Sequence, residues 1–157
     1  MGAAVPRKPT AFLRDPQQAL ERAQREFERG HLKEAIELLE QAIAMNADGA
    51  QVRTMLGIAY ARSRQVEHAF EHLERAVAFD PEAFGPRCAL GELYMRLCVP
   101  EKAREHLGRA LECATNPQER AYVQSLLREE RARDRRRVYR PNFRQPLWLL
   151  RRWWGGT

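Results

Sequence analysis

Apolar side chains along this chain recur at helical intervals rather than in alternation. Leu56, Tyr60, Leu73 and Phe79, followed by Leu90, Tyr94 and Leu107, predict one core stripe running through successive amphipathic helices. Small residues keep a longer beat. Ala35, Ala69 and Ala103 stand 34 residues apart, and so do Ala42, Ala76 and Ala110. A helix-turn-helix unit of this length cannot bury its apolar side alone, so the pattern predicts units that stack on their neighbours. Gly57 and Gly91 fall where the first helix of a unit approaches its partner, and Ala69 and Ala103 fall at the facing point. Small side chains there let two backbones come close, and a larger residue would force them apart.

Turn residues mark the ends of the predicted helices. Gly30 can take the positive φ that closes a first helix, and Pro100 can open a second one, where its missing N–H costs nothing. Asp80-Pro81 and Asn116-Pro117 each stop one helix and start another. Six helices are predicted, at about 16–29, 33–46, 50–63, 67–79, 86–97 and 101–114. A seventh, from about 118 to 138, carries Ala121, Tyr122, Leu126 and Leu127 on one side and then a charged run. It is expected to cover the apolar face of the last unit.

Counting units from Ala50 and Phe84, the second reads Leu56-Gly57, Tyr60, Ala69, Ala76 and Asp80-Pro81. The third reads Leu90-Gly91, Tyr94, Ala103 and Ala110 at the same offsets. In this the chain resembles the tetratricopeptide repeat family. A first unit near Pro16 supplies Ala23, Gly30, Ala35 and Ala42, with Glu26 and Ala47 where the family pattern has Tyr and Pro. The resemblance implies an all-α fold, a right-handed α-solenoid of stacked antiparallel helix pairs with a C-terminal capping helix and an extended basic tail. The expected organisation is an N-terminal extension (1–15), a solenoid (16–140) and an Arg/Trp-rich tail (141–157). Within the solenoid the three repeats would span about 16–49, 50–83 and 84–117.

At 157 residues and 44% apolar content the chain has material for one continuous core. The uninterrupted apolar stretch near its C-terminus, Leu147 to Leu150, is far short of the roughly 20 residues needed to span a bilayer. Residues 1–10 lack the apolar centre of a secretory signal, and Pro6 stands where a myristoylation motif wants Ser or Thr. A cytoplasmic location is expected. The three cysteines, Cys88, Cys98 and Cys113, show no metal-ligand spacing and read as reduced apolar fillers.

No catalytic constellation appears, and no cofactor is expected. There is no phosphate-cradling glycine loop, and neither serine (Ser63, Ser125) has an adjacent histidine. His68 and His72 are four apart on one helix, with His106 one repeat beyond His72, but neither pair forms His-Glu-x-x-His. They read as solvated histidines, and no metal is expected.

In the family resembled here, the first helix of each unit lines an inner groove. Carried onto this sequence, the inward positions hold Leu20, Gln24 and Phe27 in unit one, and Thr54, Ile58 and Arg62 in unit two. Unit three supplies Cys88, Glu92, Met95 and Arg96. The lysines and asparagines with which one subclass clamps a peptide carboxylate are absent. The lining would instead suit an extended or helical protein segment with apolar anchors and an acidic group for Arg62 and Arg96. A groove partly filled by the chain itself is the alternative.

Charge divides the chain unevenly. Residues 1–127 hold 17 basic and 18 acidic residues, a balance of −1, whereas residues 128–157 hold 10 and 3, a balance of +7. All three tryptophans fall in the last ten residues. Arg135, Arg136, Arg137, Trp148, Arg151, Arg152, Trp153 and Trp154 are the candidate docking residues of this tail. Arginine with tryptophan suits a membrane headgroup zone or a hot-spot contact with a protein, and folding back onto the solenoid is the third possibility. Nucleic acid would need a phosphate-binding module that the near-neutral body lacks, and no small-molecule substrate is implied. The expected role is a non-catalytic adaptor or scaffold. It would bind a partner segment in the groove and dock through its tail, peripherally, on a membrane or a membrane-bound complex. A small chaperone holding a client segment is one alternative, and nucleic-acid contact through the arginine-rich tail, with Tyr139, Phe143 and Trp148 to stack on bases, is the other.

Overall fold

The computed structural model describes residues 15–134. The expected N-terminal extension up to residue 14 and the tail docking residues from Arg135 onward lie outside the described residues. Among those described there are seven helices and no strand: α1 (Pro16–Glu28), α2 (Leu32–Ala44), α3 (Ala50–Arg62), α4 (Val66–Phe79), α5 (Phe84–Arg96), α6 (Pro100–Cys113) and α7 (Pro117–Asp134).

Local chemistry fixes where they start. The Asp15 carboxylate accepts the Gln17 N–H at 2.9 Å and caps α1, whose first residue is Pro16. At α7 the Asn116 side-chain oxygen accepts the Glu119 N–H at 2.8 Å. The Glu119 carboxylate in return takes the Thr115 N–H and hydroxyl at 2.9 and 3.1 Å. Helix α5 begins two residues before the predicted 86. Pro86 is then its third residue, where a backbone N–H has no partner within the helix anyway.

One turn closes all three first helices. Gly30 (φ 83°), Arg64 (φ 65°) and Cys98 (φ 58°) lie 34 residues apart, each in the left-handed region just after a first helix. The next N–H of each turn reaches back to close the helix end: His31 to Glu26 O at 2.9 Å, Gln65 to Tyr60 O at 2.9 Å, and Val99 to Tyr94 O at 3.0 Å. Only Gly30 advertised this conformation in the sequence. Cys98 is accordingly exposed rather than an apolar filler, while Cys88 is buried and Cys113 half-buried.

The helices pair in sequence, α1 with α2, α3 with α4 and α5 with α6, and the pairs stack through α2–α3, α4–α5 and α3–α5 contacts. All six phased alanines are fully buried. A Cβ added at Gly57 would lie 2.6 Å from Leu73 Cγ, and one at Gly91 would lie 2.6 Å from Leu107 Cγ, so glycine is what allows those leucines to seat. The core divides into two clusters. Ala89, Leu90 and Leu93 of α5 join the one built on α1–α4, and Phe84, Cys88 and Met95 of the same helix join the one built with α6 and α7.

Two expectations need correction. Phe79 does not belong to the core stripe: it is 55% exposed at the end of α4, one turn beyond Ala76, where no neighbour covers it. On α7, Ala121 faces water, and Val123, which the sequence reading passed over, is the fully buried residue between half-buried Tyr122, Leu126 and Leu127.

Candidate functional site

The first helices of the pairs, α1, α3 and α5, carry the expected groove residues. Most of those residues are out of water. Phe27, Thr54, Ile58, Cys88, Glu92 and Met95 are buried, whereas Leu20, Gln24, Arg62 and Arg96 are partly exposed. The Thr54 hydroxyl donates to Ala50 O at 2.6 Å within its own helix. Gln24 Nε2 donates to Glu28 Oε1 at 3.3 Å, and Leu20 packs against the core.

Three of the expected residues converge at the C-terminal ends of these helices. The Arg62 guanidinium lies over the Phe27 ring, 4.9 Å from its centroid, and Arg96 Nη1 donates to Ala61 O at 2.8 Å. With Glu28, Arg29 and Leu32 they line a cavity of about 400 Å³. Burial pulls the Arg62 pKa down, against the opposing pull of the Glu92 carboxylate. The arrangement places two arginine side chains at the cavity, one of them seated on the buried Phe27 ring with its charge partly desolvated.

A second cavity, of about 360 Å³, opens toward the N-terminal ends of α3 and α5. Asp80, Glu82 and Glu119 line it together with Thr54, Phe84 and Pro86. The sequence reading missed this acidic end because its carboxylates come from one loop and the start of the capping helix. The Asn116-x-x-Glu119 capping spacing was the available signal. Tyr122 was also missed as a site residue. Its hydroxyl donates to Glu92 Oε1 at 2.8 Å, which places the first turns of α7 against the inner side of α5. Burial, and then the Glu92 charge, push the Tyr122 pKa up, so it stays a donor.

The histidines are not simply solvated. His72 stacks on Tyr60 with ring centroids 5.4 Å apart, and His106 stacks on Tyr94 at 5.3 Å, one repeat further on. His68 tilts against Tyr60 at 5.1 Å and remains exposed. Tyr60 donates its hydroxyl to Glu40 on α2, tying one helix pair to the next. Arg53 joins Asp48 through two 2.6 Å contacts and approaches His72 Nδ1 at 3.0 Å. Among the described residues no group of three or more His, Cys, Asp and Glu is placed to hold a metal, and no helix is long and apolar enough to cross a membrane.

No family model and no curated protein matches the chain. Solved structures do. The first tetratricopeptide-repeat domain of Spaghetti (RPAP3), bound to the HSP90 peptide SRMEEVD, is 21% identical with a TM-score of 0.67, over 74% of this chain and 90% of that one. The Sgt2 tetratricopeptide-repeat domain from Aspergillus fumigatus is 17% identical with a TM-score of 0.68, over 88% and 95%. The Arabidopsis OM64 domain of the same kind is 15% identical with a TM-score of 0.65, over 73% and 94%. Phased alanines, glycine-seated leucines and these superpositions lead to one statement: the described chain is a seven-helix solenoid with the tetratricopeptide-repeat fold.

Proposed function

We propose that this protein is a non-catalytic interaction adaptor that takes a partner's polypeptide segment on the inner side of its solenoid. The observation that carries this reading is the convergence of Phe27, Arg62 and Arg96, from three successive first helices, on one open cavity. Such a site suits a segment that offers a carboxylate to the arginines and an apolar side chain to half-buried Leu32 beside them. The solved relative that carries an acidic peptide, SRMEEVD, supports a peptide-binding role for the fold. The lysine and asparagine set of the carboxylate-clamp subclass has no counterpart here, so the ligand sequence would differ. The organisation proposed is three repeats, about 16–49, 50–83 and 84–117, closed by a capping helix. The Arg/Trp tail would supply a second contact, on a membrane face or a complex seated there.

The test is a displayed library of acidic peptides with one aromatic or aliphatic anchor, selected on the full chain and then measured against Arg62→Ala/Arg96→Ala. Losing two charge-assisted contacts should weaken the selected peptides by roughly a hundredfold at unchanged helix content. Equal affinity for both proteins would remove the groove from the reading.

A further inference from the structure

The basic cavity lies at an unusual place for an anion site. Helices α1, α3 and α5 all end there: Arg62 and Arg96 are the last residues of α3 and α5, and the end of α1 contributes Glu28 with Arg29 and Gly30 of the following turn. A helix C-terminus carries about half a unit of negative charge, and phosphate groups are ordinarily held at the opposite, N-terminal end. Part of the arginine charge already answers these helix ends, since Arg96 Nη1 donates to Ala61 O in the last turn of α3 at 2.8 Å.

Carboxylates offset the rest. Glu26 accepts Arg29 Nη1 at 3.1 Å and meets His31 Nδ1 at 2.7 Å. Glu28 lines the cavity itself. Glu92 stands four residues before Arg96, so both project from one face of α5, about 6 Å apart along its axis. Only 6% exposed, it accepts the Tyr122 hydroxyl of α7 at 2.8 Å. Burial comes first and the Glu92 charge second in setting the pKa of Arg62, which burial pulls down, and of Tyr122 and Cys88, which are pushed up. The field of this one carboxylate therefore reaches α3 and α7 as well as its own helix. Among the described residues at and beside the cavity, Arg29, Arg62 and Arg96 thus stand against Glu26, Glu28 and Glu92, with no excess of positive charge.

We infer that this cavity selects a singly charged carboxylate, an Asp or Glu side chain of the partner segment, over a doubly charged phosphate such as that of phosphoserine, and that Glu92 sets the discrimination. The inference rests on the adaptor reading above and names the anion that the same site takes. A carboxylate presents two oxygens in one plane to the paired N–H donors of a guanidinium. A phosphoserine would bring a charge of about −1.5 to −2 at pH 7 toward three helix C-termini and the Glu28 and Glu92 carboxylates. Attraction by the arginines and repulsion by those two acids together make the choice, since specificity needs a penalty on the wrong ligand as well as a contact with the right one.

The probe is the tightest peptide from the acidic library, made with either Glu or phosphoserine at the position whose contribution vanishes in Arg62→Ala/Arg96→Ala. On the full chain the Glu peptide should bind roughly fivefold tighter, the effect of one uncompensated charge at about 10 Å in a medium between protein surface and water. Glu92→Gln keeps an oxygen for the Tyr122 hydroxyl and removes the charge. It should tighten binding by roughly fivefold per ligand charge, so that the two peptides bind alike. Tyr122→Phe breaks the same contact without changing charge, and the wild-type ratio should survive it. Should Glu92→Gln fail to fold, Glu28→Gln on the exposed rim gives a second measurement, with a shift of the ratio in the same direction by about twofold.

A phosphoserine peptide that binds the full chain as tightly as the Glu peptide would overturn the inference, and so would a ratio unmoved by Glu92→Gln and Glu28→Gln. Either result, with binding still lost in Arg62→Ala/Arg96→Ala, leaves the adaptor reading standing. A library in which no peptide depends on the two arginines would remove that reading and this inference with it.

Discussion

Helices α3 and α4 belong to one unit and are built by opposite rules. Helix α4 fully buries only Ala69, Leu73 and Ala76, flanks them with half-buried Val66, Phe70 and Val77, and gives most of its other side to charged residues, which is the ordinary way a helix signals which side is inside. Helix α3 buries ten consecutive residues, Arg53 and Thr54 among them, and shows no sidedness. Helices α6 and α5 repeat the contrast. Outer helices are therefore held by a stripe, and inner helices by close approach on several sides. Mutations should separate the two modes.

The largest effect is expected where the modes meet. Leu73→Ala and Leu107→Ala each empty a fully buried site between layers and should cost about 2–5 kcal/mol in urea unfolding. Gly57→Ala comes next. Its new Cβ would strike Leu73 Cγ, a branch point rather than a flexible tip, at an expected cost of about 1–3 kcal/mol. The same change on the outer layer should reverse sign: a Cβ at Gly108 meets nothing within 4 Å, and Gly108→Ala should stabilise by about 0.5–1 kcal/mol. Equal effects at Gly57 and Gly108 would abolish the distinction between layers.

The repeated turn gives a smaller, signed test. Arg64→Gly and Cys98→Gly relieve a left-handed conformation and should each add about 1 kcal/mol, whereas Gly30→Ala should cost a similar amount. A melting series at one pH reads all three.

The smallest expected effect is a pH slope. Burial, then the neighbouring Arg53 and Arg75 against Glu71 and Glu40, hold the His72 pKa below its usual value, and burial does the same to His106. The unfolded chain takes up these protons near pH 6.5 and the native one does not, so stability should fall as pH drops through that region. His72→Gln should flatten the fall, and urea midpoints at about pH 7.5 and 5.5 would show it.

Much of this was legible in the sequence, for physical reasons. The alanine and glycine beat marks backbone contact, which admits few residue types, so those positions declared themselves. Phe79 and Ala121 misled because periodicity gives an angle around a helix and not whether a neighbour stands there. Arg64 and Cys98 hid a turn that only Gly30 revealed, since hydrogen bonding can hold a side-chain-bearing residue at positive φ. Among the groove residues, family positions carry no information on burial, and Phe27, Thr54, Ile58, Cys88, Glu92 and Met95 are out of water. Tyr122 and the acidic Asp80–Glu82–Glu119 end arise from tertiary proximity, which no spacing encodes.

The division of the core within α5 has a further consequence. Leu90 and Leu93 are anchored with the units before them, while Cys88 and Met95 are anchored with α6 and α7, so this single helix is the weld between two halves. In a stack where each pair leans only on the next, the terminal α6–α7 half could peel away while the rest stayed folded, and α5 is where such fraying would halt.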